Sequence, residues 1–350
     1  MFKIFRYVLM PFSLVYGGII LARNKLFDKN ILRSATFDFP LICVGNLATG
    51  GTGKTPMVEY LVKILLQKYK IATLSRGYKR KTKGYLVSDK QTQAIDIGDE
   101  PMQIHQKFPE ITVAVAEERV MGIPQLLIEK PETEVIILDD AYQHREVNAG
   151  LNILLTDFNK LYTKDFLLPT GNLRDIKSSS KRADIIIVTK CKSNLNTKEK
   201  KSIIDELNPL SKQNVFFTKI EYESLYHLFT KEKFSLKNDM SLLVVCGIAN
   251  PTPIKEFLKS KVSSFQILPY KDHYNFHSED VKKIKDRFSK IENTNKIILT
   301  TEKDAVRLLK FEDELAQFPV YVLPMAHQFL FGAESTFQKI IFDFVNSFKH

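Results

Sequence analysis

Apolar residues along this chain fall into short unbroken runs separated by stretches of helical periodicity, and the alternation repeats over most of its length. Runs at residues 41–44, 71–74, 111–115, 135–138, 151–155, 185–188 and 215–220 have the length and the Val, Ile and Leu content of buried strands. Between them Met57, Val58, Leu61, Ile64 and Leu65 recur at helical spacing. So do Val120, Met121, Ile123, Leu126 and Leu127, while further helices are expected from Gly98 through Phe108 and over 198–207. Strand and helix alternating in this way predict a parallel sheet covered by helices. Residues 222–237, where aromatic and polar positions alternate, read as a two-stranded connector. Beyond it strands are expected at 242–246, 265–268, 296–300 and 320–323, and helices at 253–258, 278–288 and 303–309. These describe a second, smaller α/β domain over 238–350, built on a smaller parallel sheet. Its last helix, 334–348, gathers Phe337, Ile340, Ile341, Phe344 and Val345 on one face, which suits packing.

The start of the chain breaks this pattern. Residues 8–22 form a stretch of 15 without a charge, flanked by Lys3 and Arg6 before it and Arg23 and Lys25 after it. A spanning helix needs about 20 apolar residues, so this one is short for a bilayer. A basic start and a short apolar run are also parts of a signal peptide, but no small-residue cleavage pattern follows. The expected element, over 1–30, is a membrane-associated helix lying partly in the bilayer face, with Phe12 and Tyr16 at the interface and basic flanks near headgroups. A helix packed on the core is the alternative.

The strand at 41–44 runs into Gly45-Asn46-Leu47-Ala48-Thr49-Gly50-Gly51-Thr52-Gly53-Lys54-Thr55-Pro56, and a helix follows. Strand, glycine loop and helix are the setting of a phosphate-binding loop, so 31–221 is expected to be a P-loop NTPase-like domain. Gly50, Gly51, Thr52 and Gly53 would offer backbone N–H groups to an anion, Lys54 would reach the β- and γ-phosphates of ATP, and Thr55 would ligate Mg²⁺. Ala48 stands where the first glycine of the usual pattern belongs. Downstream, the apolar run 135–138 ends in Asp139-Asp140, the pattern of a strand end that binds Mg²⁺ beside such a loop. Arg76 follows the strand at 71–74, where ligands of open α/β sheets bind, and is a candidate phosphate contact. Asp99, before Pro101, is either a helix cap or a functional carboxylate.

Composition narrows the partners. With 51 basic and 40 acidic residues the net charge is +11, which favours an anionic partner: nucleotide, nucleic acid or anionic lipid. The basic residues are dispersed and no stacking platform for single strands is evident, so nucleic acid is not expected. Cys43, Cys191 and Cys246 are far apart, suggesting neither a disulfide framework nor a metal knuckle.

Several stretches in order resemble the tetraacyldisaccharide 4'-kinase family, and the resemblance covers nearly the whole chain. It rests on the N-terminal apolar helix, the glycine loop, Ser75-Arg76-Gly77-Tyr78, Gly98-Asp99-Glu100-Pro101, Asp139-Asp140-Ala141-Tyr142-Gln143-His144 and Leu167-Leu168-Pro169-Thr170-Gly171. It continues through Gly247-Ile248-Ala249-Asn250-Pro251, Asp272-His273-Tyr274-Asn275-Phe276 and Thr301-Glu302-Lys303-Asp304-Ala305-Val306. Two departures stand out: Ala141-Tyr142 where the family usually has Gly-Phe, and Asn172-Leu173-Arg174-Asp175 where it has Pro-Leu-Arg-Glu. The resemblance implies transfer of the ATP γ-phosphate to the 4'-hydroxyl of a lipid A disaccharide 1-phosphate precursor, at the cytoplasmic face of the inner membrane; no protein partner is implied. It implies that Asp99 is the catalytic base and that His273 orients it. Arg119 and Arg174 are candidates for the lipid's phosphate, because a guanidinium fork matches phosphate oxygens.

One rival of another class is a membrane-associated partitioning ATPase, whose variant phosphate loop the Gly-Gly-Thr-Gly-Lys-Thr run resembles. Such ATPases carry an extra lysine just before the glycine pair. Thr49 occupies that place here.

Overall fold

The computed structural model describes residues 7–248 and 250–348, so the basic flank Lys3 and Arg6 and the Ala249 of the second-half motif lie outside the described residues. The strands in chain order are β1 (Ala35–Thr36), β2 (Leu41–Asn46), β3 (Ile71–Ser75), β4 (Leu86–Val87), β5 (Thr112–Val115), β6 (Val135–Asp139), β7 (Val147–Asn148), β8 (Leu151–Asp157) and β9 (Ile185–Thr189). There follow β10 (Asn214–Tyr222), β11 (Leu225–His227), β12 (Lys233–Phe234), β13 (Ser241–Cys246), β14 (Ser264–Pro269), β15 (Lys296–Thr301), β16 (Val320–Leu323) and β17 (Met325–Phe329). The chain divides into two compact units, one made of the residues up to Glu221 together with those from Ala326 onward, the other Tyr222–Met325.

The first unit holds a nine-stranded sheet in the order β17-β10-β9-β8-β2-β6-β3-β5-β4. Every pairing from β10 to β5 is parallel, and β4 closes one edge antiparallel to β5. Strands β2, β3, β6 and β9 are buried at every position, as expected of a parallel sheet with both faces covered. Their unbroken apolar runs are the direct consequence. A separate two-stranded pair, β1 with β7, sits apart from the main sheet.

The second unit has a six-stranded sheet in the order β12-β11-β16-β15-β13-β14. It is mixed rather than wholly parallel: β16, β15, β13 and β14 pair in parallel, while β11 pairs antiparallel with β16 and β12. The expected connector at 222–237 is therefore part of this sheet. The expected domain 238–350 also differs at its end, because the chain returns to the first unit after Met325. Phe337, Ile341 and Val345 of the helix Glu334–Asn346 are buried there, with the Phe337 ring 4.7 Å from Phe329 and 5.3 Å from Phe216. The apolar face legible in the sequence packs as expected, on the other unit.

The first helix, Met10–Asp28, extends past the uncharged run and is inverted in its polarity. Ser13, Asn24 and Phe27 are its buried residues, whereas Phe12, Leu14, Val15, Ile19, Leu21 and Leu26 are exposed. The buried polar pair explains the docking. Ser13 donates to the Thr170 hydroxyl at 2.7 Å, and Asn24 donates to Asp175 Oδ1 at 3.1 Å. Asp175 is the hub of this contact, also accepting from Ser179 Oγ at 2.8 Å and Arg182 Nη2 at 3.0 Å. The position where the sequence departs from the family's Glu thus anchors the first helix. No described helix is long and apolar enough to cross a membrane.

Candidate active site

The polar centre of the first unit is built at the carboxyl ends of β2 and β6, neighbours in the sheet. β2 ends at Asn46, the loop spans 47–53, and the helix Lys54–Leu65 begins with Gly53 as its cap at φ 87°, a left-handed value that glycine adopts without strain. Gly45 is required for a different reason: a Cβ there would meet the Tyr142 Cβ at 2.5 Å, so only a bare backbone lets β2 pass the turn after β6. Cβ atoms added at Gly50 or Gly51 would meet nothing within 4 Å, which leaves one side of the loop open. Pro56 occupies the first turn, where no N–H partner is needed.

Lys54 and the acidic strand end meet. Lys54 Nζ lies 3.6 Å from Asp140 Oδ1 and donates to Asn46 Oδ1 at 3.2 Å. Asp140 has a left-handed backbone, φ 51°, immediately after β6. The segment 172–174 bonds to the loop, Thr49 N–H to the Asn172 carbonyl at 2.7 Å and Arg174 N–H to the Leu47 carbonyl at 2.8 Å. That pairing delivers Arg174, which donates from Nη1 to Asp140 Oδ2 at 3.0 Å and from Nη2 to Asp140 Oδ1 and, at 2.6 Å, to Asn46 Oδ1. Arg174 is thus an arm of the cluster, engaged by a carboxylate in the described state.

The two aspartates differ in charge state for physical reasons. Burial raises the Asp139 carboxyl, the neighbouring Asp140 charge raises it further, and it reaches about 7; its Oδ1 is buried without a hydrogen-bond partner. Burial also opposes ionisation of Asp140, but the Arg174 hydrogen bonds and the Lys54 charge outweigh it and hold that carboxyl at about 2. Arg119, 2% exposed, is not the surface arginine its composition class suggests. Its Nη1 donates to the Ala116 and Glu117 carbonyls at 3.0 Å each, while Nε and Nη2 have no partner. Burial pulls it down to about 10, against the attraction of Asp139 and Asp140.

The remaining candidates come from other elements. Arg76 is exposed just past β3. Asp99 is buried, the first residue of the helix Asp99–Lys107 and not its cap, since Gly98 is the cap residue. Its carboxylate therefore sits at the positive end of that helix. Thr55 is half-buried in the first turn after the loop, and the Thr52 hydroxyl is buried without a partner. His273 belongs to the second unit, where its Nε2 is 3.0 Å from Lys303 Nζ, itself 2.7 Å from Asp272 Oδ1. An ammonium only donates, so Nε2 accepts at this contact.

Residues not singled out from the sequence complete the loop's surroundings. Asn46 joins Lys54 to Arg174, and Gln143 donates to its carbonyl at 2.8 Å. Thr189, Lys190 and His327 contact the loop from β9 and β17. A polar residue ending the buried run of β2 was the one available signal for Asn46. Nothing near the loop in sequence marks His327.

A glycine loop between a buried parallel strand and a helix, its lysine against an acidic strand end, defines an α/β protein on a largely parallel sheet with a polar cluster at the sheet's carboxyl edge. The chain belongs to the tetraacyldisaccharide-1-P 4'-kinase family, which it matches over residues 5–346. It is 44% identical over 352 residues to the tetraacyldisaccharide 4'-kinase of Bacteroides thetaiotaomicron, covering 96% of this chain and 92% of that one. It is 45% identical over 329 residues to the enzyme of the same name from Flavobacterium johnsoniae, covering 94% of each. Among solved structures, the LpxK of Aquifex aeolicus in complex with ATP is similar at a TM-score of 0.74 and 29% identity, over 97% of this chain and 99% of that one. The protein is accordingly a kinase of lipid A biosynthesis, a phosphotransferase with a hydroxyl acceptor. That decides against the partitioning ATPase.

Proposed function

We propose that the loop Gly50-Gly51-Thr52-Gly53-Lys54-Thr55 holds the triphosphate of ATP and that the kinase transfers its γ-phosphate to the 4'-hydroxyl of a tetraacyldisaccharide 1-phosphate. The observation that carries this is the junction of Lys54 with Asp140 beside the unpartnered, buried oxygen of Asp139. A buried carboxyl at about 7 is a poor resting arrangement and a good site for a cation, which favours its ionised form. Asp139, Asp140 and Thr55 would hold Mg²⁺. When bound, that ion neutralises charge gathering on the phosphate oxygens.

This chain's own groups do the rest. Lys54 offers its ammonium to the β- and γ-phosphates, and backbone N–H groups on the open side of the loop hold the phosphates in place. Asp99, at its helix start, accepts the acceptor hydroxyl's proton as the new P–O bond forms. His273 is kept as a candidate positioning residue on the strength of the family resemblance. Arg119 and Arg76 neutralise anionic oxygens; the partnerless Nε and Nη2 of Arg119 leave donors to offer. Arg174 is assigned first to Asp140, and to substrate phosphate only if that ion pair opens.

The first helix is the proposed membrane contact. Its polar side faces inward on Thr170 and Asp175, so its apolar side, with Phe12, Val15 and Ile19 at 64–65% exposure, faces out. Such a face, joined to a net charge of +11, suits the anionic cytoplasmic leaflet where a lipid acceptor resides.

The test is transfer of label from γ-labelled ATP to purified lipid A precursor by wild type, Lys54→Ala and Asp99→Ala, each checked for folding by circular dichroism. Label in the lipid with wild type alone is expected. A folded Lys54→Ala protein with full activity would overturn the reading.

A further inference from the structure

Three successive carbonyls of the glycine loop are taken up by side chains from outside it. Lys190 Nζ donates to the Gly51 carbonyl, Thr189 Oγ1 to Thr52 at 2.7 Å, and His327 Nε2 to Gly53 at 2.9 Å. Thr189 ends β9 and Lys190 follows it, but His327 comes from β17, at the far edge of the sheet and in the part of the chain that returns after the second unit. A trans peptide holds its C=O and the next N–H antiparallel. The Gly53 carbonyl also accepts the first helical bond from Met57 N–H at 3.2 Å, and fixing the carbonyls of Thr52 and Gly53 aims the N–H groups of Gly53 and Lys54 away from His327 and Thr189.

Building on the phosphate-loop reading above, we propose that His327 is a positioning residue of the kinase: it holds the Gly53 peptide so that the loop's donors face the phosphates before nucleotide arrives. The geometry is specific at both ring nitrogens. The Gly53 carbonyl can only accept, so Nε2 carries the proton, and Nδ1 at 2.9 Å from Thr218 Oγ1 accepts from that hydroxyl. Thr218 is wholly buried and His327 5% exposed, so neither partner is exchanged for water at low cost. Burial keeps the imidazole neutral, down to about 4, and the nearby Lys190 charge acts in the same direction. A protonated ring could not accept from Thr218, so neutrality is what lets one ring join two strands to the loop. The ring also sets the space: a Cβ at Gly53 would lie 3.0 Å from His327 Cε1.

The experiment compares wild type with His327→Leu, which fills the volume without a donor, and His327→Gln, whose amide can replace the Nε2 donor. Hydrogen exchange of the loop amides is read on the full-length protein without nucleotide, ATP affinity by calorimetry, and the KM values for ATP and for tetraacyldisaccharide 1-phosphate in the labelling assay. The expected result for His327→Leu is faster exchange at Gly53 and Lys54 and ATP affinity down about tenfold, the loss of one buried hydrogen bond, with the acceptor KM unchanged. His327→Gln restores most of both. If the Leu variant does not fold, Thr218→Val, which removes only the hydroxyl that fixes the tautomer, is read by the same measurements. Wild-type loop exchange and ATP affinity in His327→Leu, or in Thr218→Val where it stands in, would overturn the inference. So would equal losses toward ATP and acceptor that Gln does not restore, the mark of a general packing role. Lys54→Ala, run in parallel, separates the two readings: its full activity sinks the phosphate-loop reading itself, whereas an inactive Lys54→Ala beside an unaffected His327→Leu sinks only the role of His327.

Discussion

At the scale of residues, the site is a set of charges held slightly against their preference. Asp139 is the extreme case. Its carboxyl is raised to about 7 in the fold against an unfolded value near 3.8, so its contribution to stability is present below the unfolded value and is lost as pH rises through about 7. Without nucleotide, Asp139→Asn is expected to be more stable than wild type at pH 8, by about 2–4 °C in Tm per kcal/mol relieved, an advantage that shrinks as pH falls below about 7 and vanishes only near pH 4. The same variant should lose most transfer activity, since the ligand for the cation is gone. Melting curves at the two pH values and the labelling assay check both halves. Gly53→Ala makes a different point: φ 87° costs an L-residue about 1–2 kcal/mol, and the added methyl crowds the His327 ring at 3.0 Å. Weakened ATP binding together with lower stability to urea is the expected outcome.

At the scale of elements, the first helix shows why an apolar run does not by itself announce its environment. The helix buries Ser13 and Asn24 on the hub at Asp175 and turns its large apolar side chains outward. Changing Phe12, Val15 and Ile19 together to Ser is expected to leave Tm within about 2 °C, because exposed substitutions rarely cost more than about 0.5 kcal/mol each. The same protein should no longer float with vesicles of anionic lipid. Changing Asn24 to Leu should do the reverse, lowering stability by about 1–3 kcal/mol by leaving Asp175 short of a buried donor. The strands were plain from their runs because a covered parallel sheet buries both faces. β17 was not, since Met325-Ala326-His327-Gln328-Phe329 alternates too weakly to announce a strand.

At the scale of the whole molecule, the chain leaves the first unit at Glu221 and comes back at Ala326, so the second unit is an insertion and not a terminal domain. The boundary expected from the connector composition missed this because an amphipathic helix such as Glu334–Asn346 specifies a buried face without specifying which core receives it. Acid sensitivity belongs to this scale too. His144 and His327 are held neutral by burial down to about 4, against an unfolded value near 6.5. Their contribution is present above 6.5 and is lost as pH falls toward 4, by at most about 1.4 kcal/mol per pH unit for each ring. Urea unfolding at pH 7, 5.5 and 4.5 should show this slope, and His327→Gln should lessen it.

By itself the sequence determined the α/β class, the strand–loop–helix around Lys54, the acidic strand end at Asp139-Asp140 and the family, because each is written in residues that are neighbours or periodic along the chain. Tertiary structure alone decided that Asp140 is clamped by Arg174, that Asp175 anchors the first helix, that the last helix returns to the first unit and that His327 reaches Gly53. Those contacts join residues 34 to 274 positions apart. No local preference encodes such a pairing; it exists only once burial has brought strand ends together and left their polar groups no partner but one another.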